Sequence, residues 1–171
     1  MRILVWGLIG PYFFENENGI AITVNGIRYR EMITNFLWHE IDDMDVEDIW
    51  FQQDGATCHT ANETMQLLQT KFNGRVISQR GDVNWPPRSC DLTPLDFFLW
   101  GYLKDKVYIN KPQTIEDLKE EIRHNIAEIC PQLCNMSWKI SLKELICAAT
   151  AKAVICQMFC STHNLNVSTF K

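Results

Sequence analysis

Ile49-Trp50-Phe51-Gln52-Gln53-Asp54-Gly55 is the stretch of sequence that decides the fold. Its first residues are bulky and apolar, which is typical of a strand buried inside a sheet. The run ends at an aspartate followed by a glycine, a pair that favours a turn. We therefore predict a strand over residues 49–53 whose carboxyl end presents Asp54.

Strands and helices are predicted to alternate around this strand. Apolar residues at helical spacing predict a helix over 60–72, which Asn73-Gly74 would end, and residues 75–78 form a short strand. Upstream, the Asn18-Gly19 step favours a hairpin turn, and Asn25 can cap a helix. The strands predicted there cover 3–8, 12–15 and 20–24, and the helix covers 26–38. This order indicates the α/β class, with a mixed sheet flanked by helices.

The second half of the chain is predicted to be mainly helical. Glycine and proline residues exclude regular structure from 79–93. Thr93-Pro94 then favours the start of a helix that continues to residue 104. Thr114 and Asp117 resemble a capping box that begins a helix running to about residue 129, and a last helix is predicted over 140–159.

Composition and charge limit the classes of function. The chain has 171 residues, of which 46% are hydrophobic and 22% charged, as expected of one globular domain. A net charge of -5 argues against an autonomous nucleic-acid-binding module, so any contact with DNA must be local. Seven cysteines without regular spacing are typical of reduced thiols in an intracellular protein. No apolar run approaches the roughly 20 residues of a membrane span, so no membrane partner is expected.

Two aspartates are candidate metal ligands. Asp54 follows a predicted central strand, at the sheet edge where α/β proteins usually bind ligands. Asp91 lies in a proline-rich loop that leads into a helix. Carboxylates brought together in this way could hold Mg²⁺, and a two-metal site can catalyse phosphoryl transfer. The alternatives are that Asp54 is a turn residue and that Asp91 caps the next helix.

Other polar residues are weaker candidates. His59 could contact the same site as Asp54 or simply close the turn. Cys156, Cys160 and His163 would share one face of a helix and could bind zinc, although buried thiols are the more common case. Asp82 carries a weaker signal than Asp54, and Asp96 is explained by the helix dipole.

Two long motifs resemble those of a known family. Residues 51–61 (FQQDGATCHTA) and 85–101 (WPPRSCDLTPLDFFLWG) are similar to the second and third catalytic blocks of mariner-type transposases, in the same order and with matching spacing. Residues 5–7, 10–14 and 23–26 also resemble that family. The resemblance extends from about residue 3 to 134, which would be a partial catalytic domain, and leaves 135–171 as a divergent helical tail.

The resemblance implies an RNase H-like fold with three acidic residues that bind Mg²⁺ or Mn²⁺. Asp54 would be the second acid and Asp91 the third, in an enzyme that cleaves and transfers DNA strands during transposition. DNA would be the ancestral partner, a homodimer is possible, and the expected location is the nucleus.

The first acid of the family would lie on an opening strand just upstream of the block that begins at Met1. No aspartate precedes Arg28, so we predict that this fragment is catalytically inactive and that a central strand is left unpaired. The alternative is a non-catalytic protein-interaction module derived from a transposase.

Overall fold

The computed structural model describes residues 9–43, 49–84, 100–129 and 154–156. These residues form a small parallel sheet and several helices, so the predicted α/β class is confirmed. The predicted strand over 3–8 lies outside the described residues, as do Asp91, Asp96 and the proline-rich loop.

Four short strands form the sheet, in the order β3-β2-β1-β4. They are β1 (Ile49–Gln52), β2 (Val76–Ser78), β3 (Val83–Asn84) and β4 (Val154–Cys156). All three pairings are parallel. The sheet of the described residues is therefore parallel, whereas the sequence predicted a mixed sheet.

The helices lie close to their predicted positions. They are α1 (Gly26–Met32), a π-helical turn (Ile33–Leu37), α2 (Trp38–Glu40), α3 (Asn62–Lys71), α4 (Trp100–Val107) and α5 (Ile115–Ala127). Asn25 caps α1 by accepting a hydrogen bond from the Arg28 amide at 2.9 Å. The capping box of Thr114 and Asp117 is also confirmed. None of the helices in the described part of the chain is long and apolar enough to cross a bilayer.

The core lies where α1, the π-helical turn and α3 cover β1 and β2. Phe51 packs on Phe72 at the end of α3, with ring centroids 5.3 Å apart. On α1 and the π-helical turn, the side chains of Met32, Ile33 and Leu37 are completely buried. The side chains of these helices therefore pack on β1 and β2 and hold both strands in place.

The predicted hairpin over 12–24 is present in reduced form. A single antiparallel bridge joins Glu15 and Ala21, and the Ile22 amide donates to the Phe14 carbonyl at 2.9 Å. Gly19 has a φ of 73°, as the predicted turn requires. The Asn16 side chain completes the turn by accepting from the amides of Asn18 and Ile20.

Two strands correct the sequence predictions. Val83–Asn84 was assigned to an irregular loop, but it pairs with β2 because the chain turns back tightly at Gly81. A Cβ atom at Gly81 would lie 2.3 Å from the Val76 carbonyl oxygen, so only glycine fits there. Asp82 then accepts a hydrogen bond from the Val76 amide at 2.9 Å, which helps to hold the returning chain.

The second correction concerns the tail. Val154–Cys156 was predicted to be helical, but it is a strand that pairs with β1, with Trp50 opposite Ile155. Because β2 lies on the other side, β1 is paired along both edges. The prediction of an unpaired central strand is therefore wrong.

The strand β4 provides a test of this arrangement. A chain ending at residue 153 lacks β4 and exposes the edge of β1, so we expect it to aggregate. A chain ending at residue 156 keeps β4 and serves as the matched control. Size-exclusion chromatography should show higher assemblies only for the shorter chain. Equal monodispersity of the two chains would contradict the pairing of β4 with β1.

A buried ion pair joins α5 to the hairpin. The Lys119 side chain is 2% exposed, and its Nζ lies 2.6 Å from Glu15 Oε1 and 2.7 Å from Glu116 Oε1. Glu15 is mostly buried, whereas Glu116 is 73% exposed. Both carboxylates therefore compensate the desolvation of the ammonium group: Glu116 accepts a hydrogen bond from Lys119, and Glu15 provides the less exposed charge.

We expect Glu15→Gln to lower the free energy of unfolding by about 1–3 kcal/mol, because it weakens the pairing of a buried charge. The exposed partner provides the control, since Glu116→Gln should cost less than about 1 kcal/mol. Urea denaturation of both variants measures the difference. An effect of Glu15→Gln no larger than that of Glu116→Gln would show that the contact with the hairpin stabilises the fold no more than the exposed pair does.

Candidate functional site

Asp54 lies immediately beyond the carboxyl end of β1. Its side chain is 49% exposed, as a ligand-binding carboxylate requires. The loop that follows β2 reaches the same edge, because a Cβ atom at Gly55 would lie 3.3 Å from Gln79 Oε1. The structure places Asp54 just beyond the carboxyl end of a central strand, as predicted.

The two oxygens of the Asp54 carboxylate have different surroundings. Oδ1 accepts a hydrogen bond from the Ala56 amide at 3.0 Å and contacts His59 Nδ1 at 2.5 Å. Oδ2 accepts no hydrogen bond from any described residue. One oxygen is therefore held by the protein, while the other can bind a ligand.

His59 is held rigidly beside Asp54. Its side chain is only 11% exposed, and its ring lies against that of Tyr29 with centroids 4.3 Å apart. Its amide donates to the Ala56 carbonyl at 3.0 Å. The sequence left open whether His59 contacts this site or only closes the turn, and the structure shows both.

The buried side chain of Gln53 joins three elements behind the site. Gln53 Nε2 donates to the His59 carbonyl at 2.9 Å and to Ser78 Oγ at 3.1 Å. Gln53 Oε1 accepts from the Tyr29 hydroxyl at 3.0 Å. The loop that carries His59 is thereby fixed to the end of β2 and to α1.

Asp54 and His59 change each other's pKa. The hydrogen bond from His59 is the main reason that the pKa of Asp54 lies below its ordinary value, against the opposing effect of burial. Burial lowers the pKa of His59, but the hydrogen bonds and charges of Asp54 and Cys58 outweigh it and raise the pKa to about 9. At neutral pH the pair is an imidazolium and a carboxylate. The Nε2 atom of this ring is buried and has no hydrogen-bond partner among the described residues.

The remaining candidates divide into three groups. Asp91, Asp96, Cys160 and His163 lie outside the described residues. Asp82 lies at the opposite end of the sheet from Asp54, since it accepts from the Val76 amide and from Gln69 Nε2. Cys156 belongs to β4, so the helical spacing behind the zinc interpretation is wrong at its first position.

Sequence reasoning missed the roles of Gln53 and Tyr29. Gln53 is polar and follows directly on a buried strand, which signals that its amide must find partners inside the protein. Tyr29 lies in the helix predicted over 26–38, and its hydroxyl is the part of the side chain that reaches Gln53 beside the site. Neither partner could be identified from spacing alone.

The Asp54 carboxylate is suited to bind a small divalent cation. Mg²⁺ prefers carboxylate oxygens, keeps several waters and needs only one or two protein carboxylates. Asp54 is ionised and offers one oxygen at an open edge of the sheet. No cluster of three or more metal-binding side chains occurs within residues 9–43, 49–84 and 100–129.

No protein-family model matches the chain, and the search among curated proteins finds no significant relative.

The raised pKa of His59 predicts a pH-dependent stability. The contribution of His59 is complete below pH 6.5, the ordinary pKa of the imidazole, and is lost as the pH rises through about 9. The contribution of Asp54 is present above its ordinary pKa of 3.8 and is lost as the pH falls through the lowered value. The pair therefore stabilises the fold most between these two ordinary values.

The variant His59→Asn keeps a hydrogen-bond donor but cannot titrate. We expect wild-type protein to lose up to about 3 kcal/mol more than this variant between neutral and strongly alkaline pH. Urea denaturation across that range measures the difference. If the free energy of unfolding changes with pH in the same way for the two proteins, folding does not raise the pKa of His59.

Proposed function

We propose that the chain derives from the catalytic domain of a mariner-type transposase with an RNase H-like fold. The ancestral reaction is the metal-dependent cleavage and transfer of DNA strands. One observation carries the proposal: Asp54, in the motif FQQDGATCHTA, follows the central strand of a parallel sheet and has one oxygen available to a ligand. This is the location and chemistry that the resemblance requires of the second acid.

The proposed metal site combines Asp54 with Asp91. Bound Mg²⁺ or Mn²⁺ would activate an attacking oxygen and stabilise the leaving oxygen at a DNA phosphate. The chain's own residues have separate tasks. Asp54 and Asp91 bind the cation, while the loop around His59 holds the Asp54 carboxylate in place and Gln53 holds that loop.

The charge of the chain limits how DNA could bind. A net charge of -5 provides no general attraction to phosphate, so contact would depend on local basic residues. Arg80 is exposed and follows β2 at the same edge of the sheet as Asp54. Its guanidinium reaches Asn62 at the start of α3, at 3.1 Å. In this proposal DNA, a nuclear location and a possible homodimer belong to the ancestral enzyme.

By the resemblance, these 171 residues would hold two of the family's three acids, Asp54 and Asp91. An acid that bridges two metal ions contributes positioning that solvent cannot replace. We therefore propose that the chain, tested alone, does not cleave DNA. Under the alternative, the sheet and helices serve only for protein contact.

Metal binding tests the proposal directly. Titration of Mn²⁺ followed by water-proton relaxation should show binding that Asp54→Asn and Asp91→Asn each weaken by at least about 10-fold, since losing even an outer-shell partner can cost that much. Asp105→Asn removes an exposed carboxylate of α4 and is the matched control. Binding that is insensitive to both site variants would contradict the proposal and favour an interaction module.

A cleavage assay tests the proposed inactivity. Labelled duplex DNA incubated with the chain and Mg²⁺ or Mn²⁺ should show no more nicking than with Asp54→Ala. Metal-dependent nicking that this substitution abolishes would show that two acids suffice.

A further inference from the structure

We infer that His59 is a positioning residue that determines which oxygen of Asp54 binds the divalent cation. The inference rests on the proposed function and adds a specific role for one residue of the same site. His59 and the Ala56 amide occupy Oδ1, so Oδ2 is the atom that binds the metal.

The hydrogen-bonding capacity of a carboxylate supports this assignment. Each carboxylate oxygen offers about two lone-pair sites. The Ala56 amide at 3.0 Å and His59 Nδ1 at 2.5 Å account for both sites on Oδ1. A cation that took Oδ1 would have to displace one of these donors. Oδ2 receives no hydrogen bond from the described residues and is part of a side chain that is half exposed.

His59 cannot easily move away from Asp54. Its ring is buried against Tyr29, its amide is bonded to Ala56, and its carbonyl accepts from Gln53 Nε2 at 2.9 Å. Gln53 is the residue directly before Asp54, so the donor and the carboxylate are fixed to the same strand end. The imidazole therefore restricts the rotation of the Asp54 side chain by holding Oδ1.

The expected consequence is binding through a single oxygen. A carboxylate held at Oδ1 cannot chelate a cation with both oxygens without losing the contact to His59. Monodentate binding suits Mg²⁺, which keeps waters in a compact octahedral shell. His59 would thus set the geometry of the site without touching the cation.

Nuclear magnetic resonance tests the assignment in the unmodified chain. The His59 Nδ1 proton, assigned by its absence in His59→Asn, is followed together with the Asp54 carboxyl carbon during a Mg²⁺ titration. We expect the carboxyl carbon to shift while the proton resonance persists. Loss of the proton resonance as the carbon shifts would overturn the inference, because the cation would have taken Oδ1. A carboxyl carbon that does not respond to Mg²⁺ would overturn the proposed function itself.

Two substitutions provide a second test. His59→Leu and His59→Asn both remove the charge of the imidazolium, but only the leucine variant also lacks a donor, so it should bind Mn²⁺ about 10- to 100-fold more weakly than the asparagine variant, the usual effect of losing an outer-shell partner. His59→Asn places an amide N–H near the position of Nδ1 and can therefore still hold Oδ1. Thermal melting establishes whether each variant is folded. If the leucine variant is unfolded, the Mg²⁺ titration of the wild-type chain by nuclear magnetic resonance tests the positioning role instead. Equal affinity of folded His59→Leu and His59→Asn, with Asp54→Asn still impaired, would overturn the positioning role but leave the proposed metal site standing.

Discussion

The hydrogen bonds of the buried Gln53 side chain hold together the segments around the candidate site. A buried amide without partners is costly, so the fold must bring acceptors and a donor to it. It finds the His59 carbonyl, Ser78 Oγ and the Tyr29 hydroxyl, which come from three different segments. One polar side chain at the end of β1 thereby fixes the loop after the strand, the end of β2 and helix α1. The candidate site lies one residue further along the chain.

Features with local causes were predicted well from the sequence. The strand that ends before Asp54 follows from a run of bulky residues stopped by Asp-Gly, and its start and end agree with β1 to within one residue. Asn25 and Thr114 cap helices because their side chains reach amides only three residues away. The hairpin turn depends on the positive φ of Gly19, which is a property of that residue alone. Each of these predictions needs only neighbouring residues.

Features with distant partners could not be predicted. The pairing of Val154–Cys156 with β1 joins residues about a hundred positions apart, and the apolar run around it is equally compatible with a helix. The return of Val83–Asn84 depends on Gly81 lying against the Val76 carbonyl, a contact that no spacing rule describes. His59 was recognised as a neighbour of Asp54 in sequence, but its contact with Oδ1 depends on Tyr29 and Gln53. The second proposed ligand, Asp91, lies outside the described residues, so its closeness to Asp54 remains a prediction from the resemblance.

We propose that Asp54 and Asp91 bind one divalent cation between them. Crystals grown with Mn²⁺ and measured near the manganese absorption edge would locate the ion by its anomalous scattering. We expect an anomalous peak within direct coordination distance of Asp54 Oδ2 and of a carboxylate oxygen of Asp91, since such ions take hard oxygen ligands. Asp91 held on the opposite face of the sheet, with no anomalous peak beside Asp54, would contradict it.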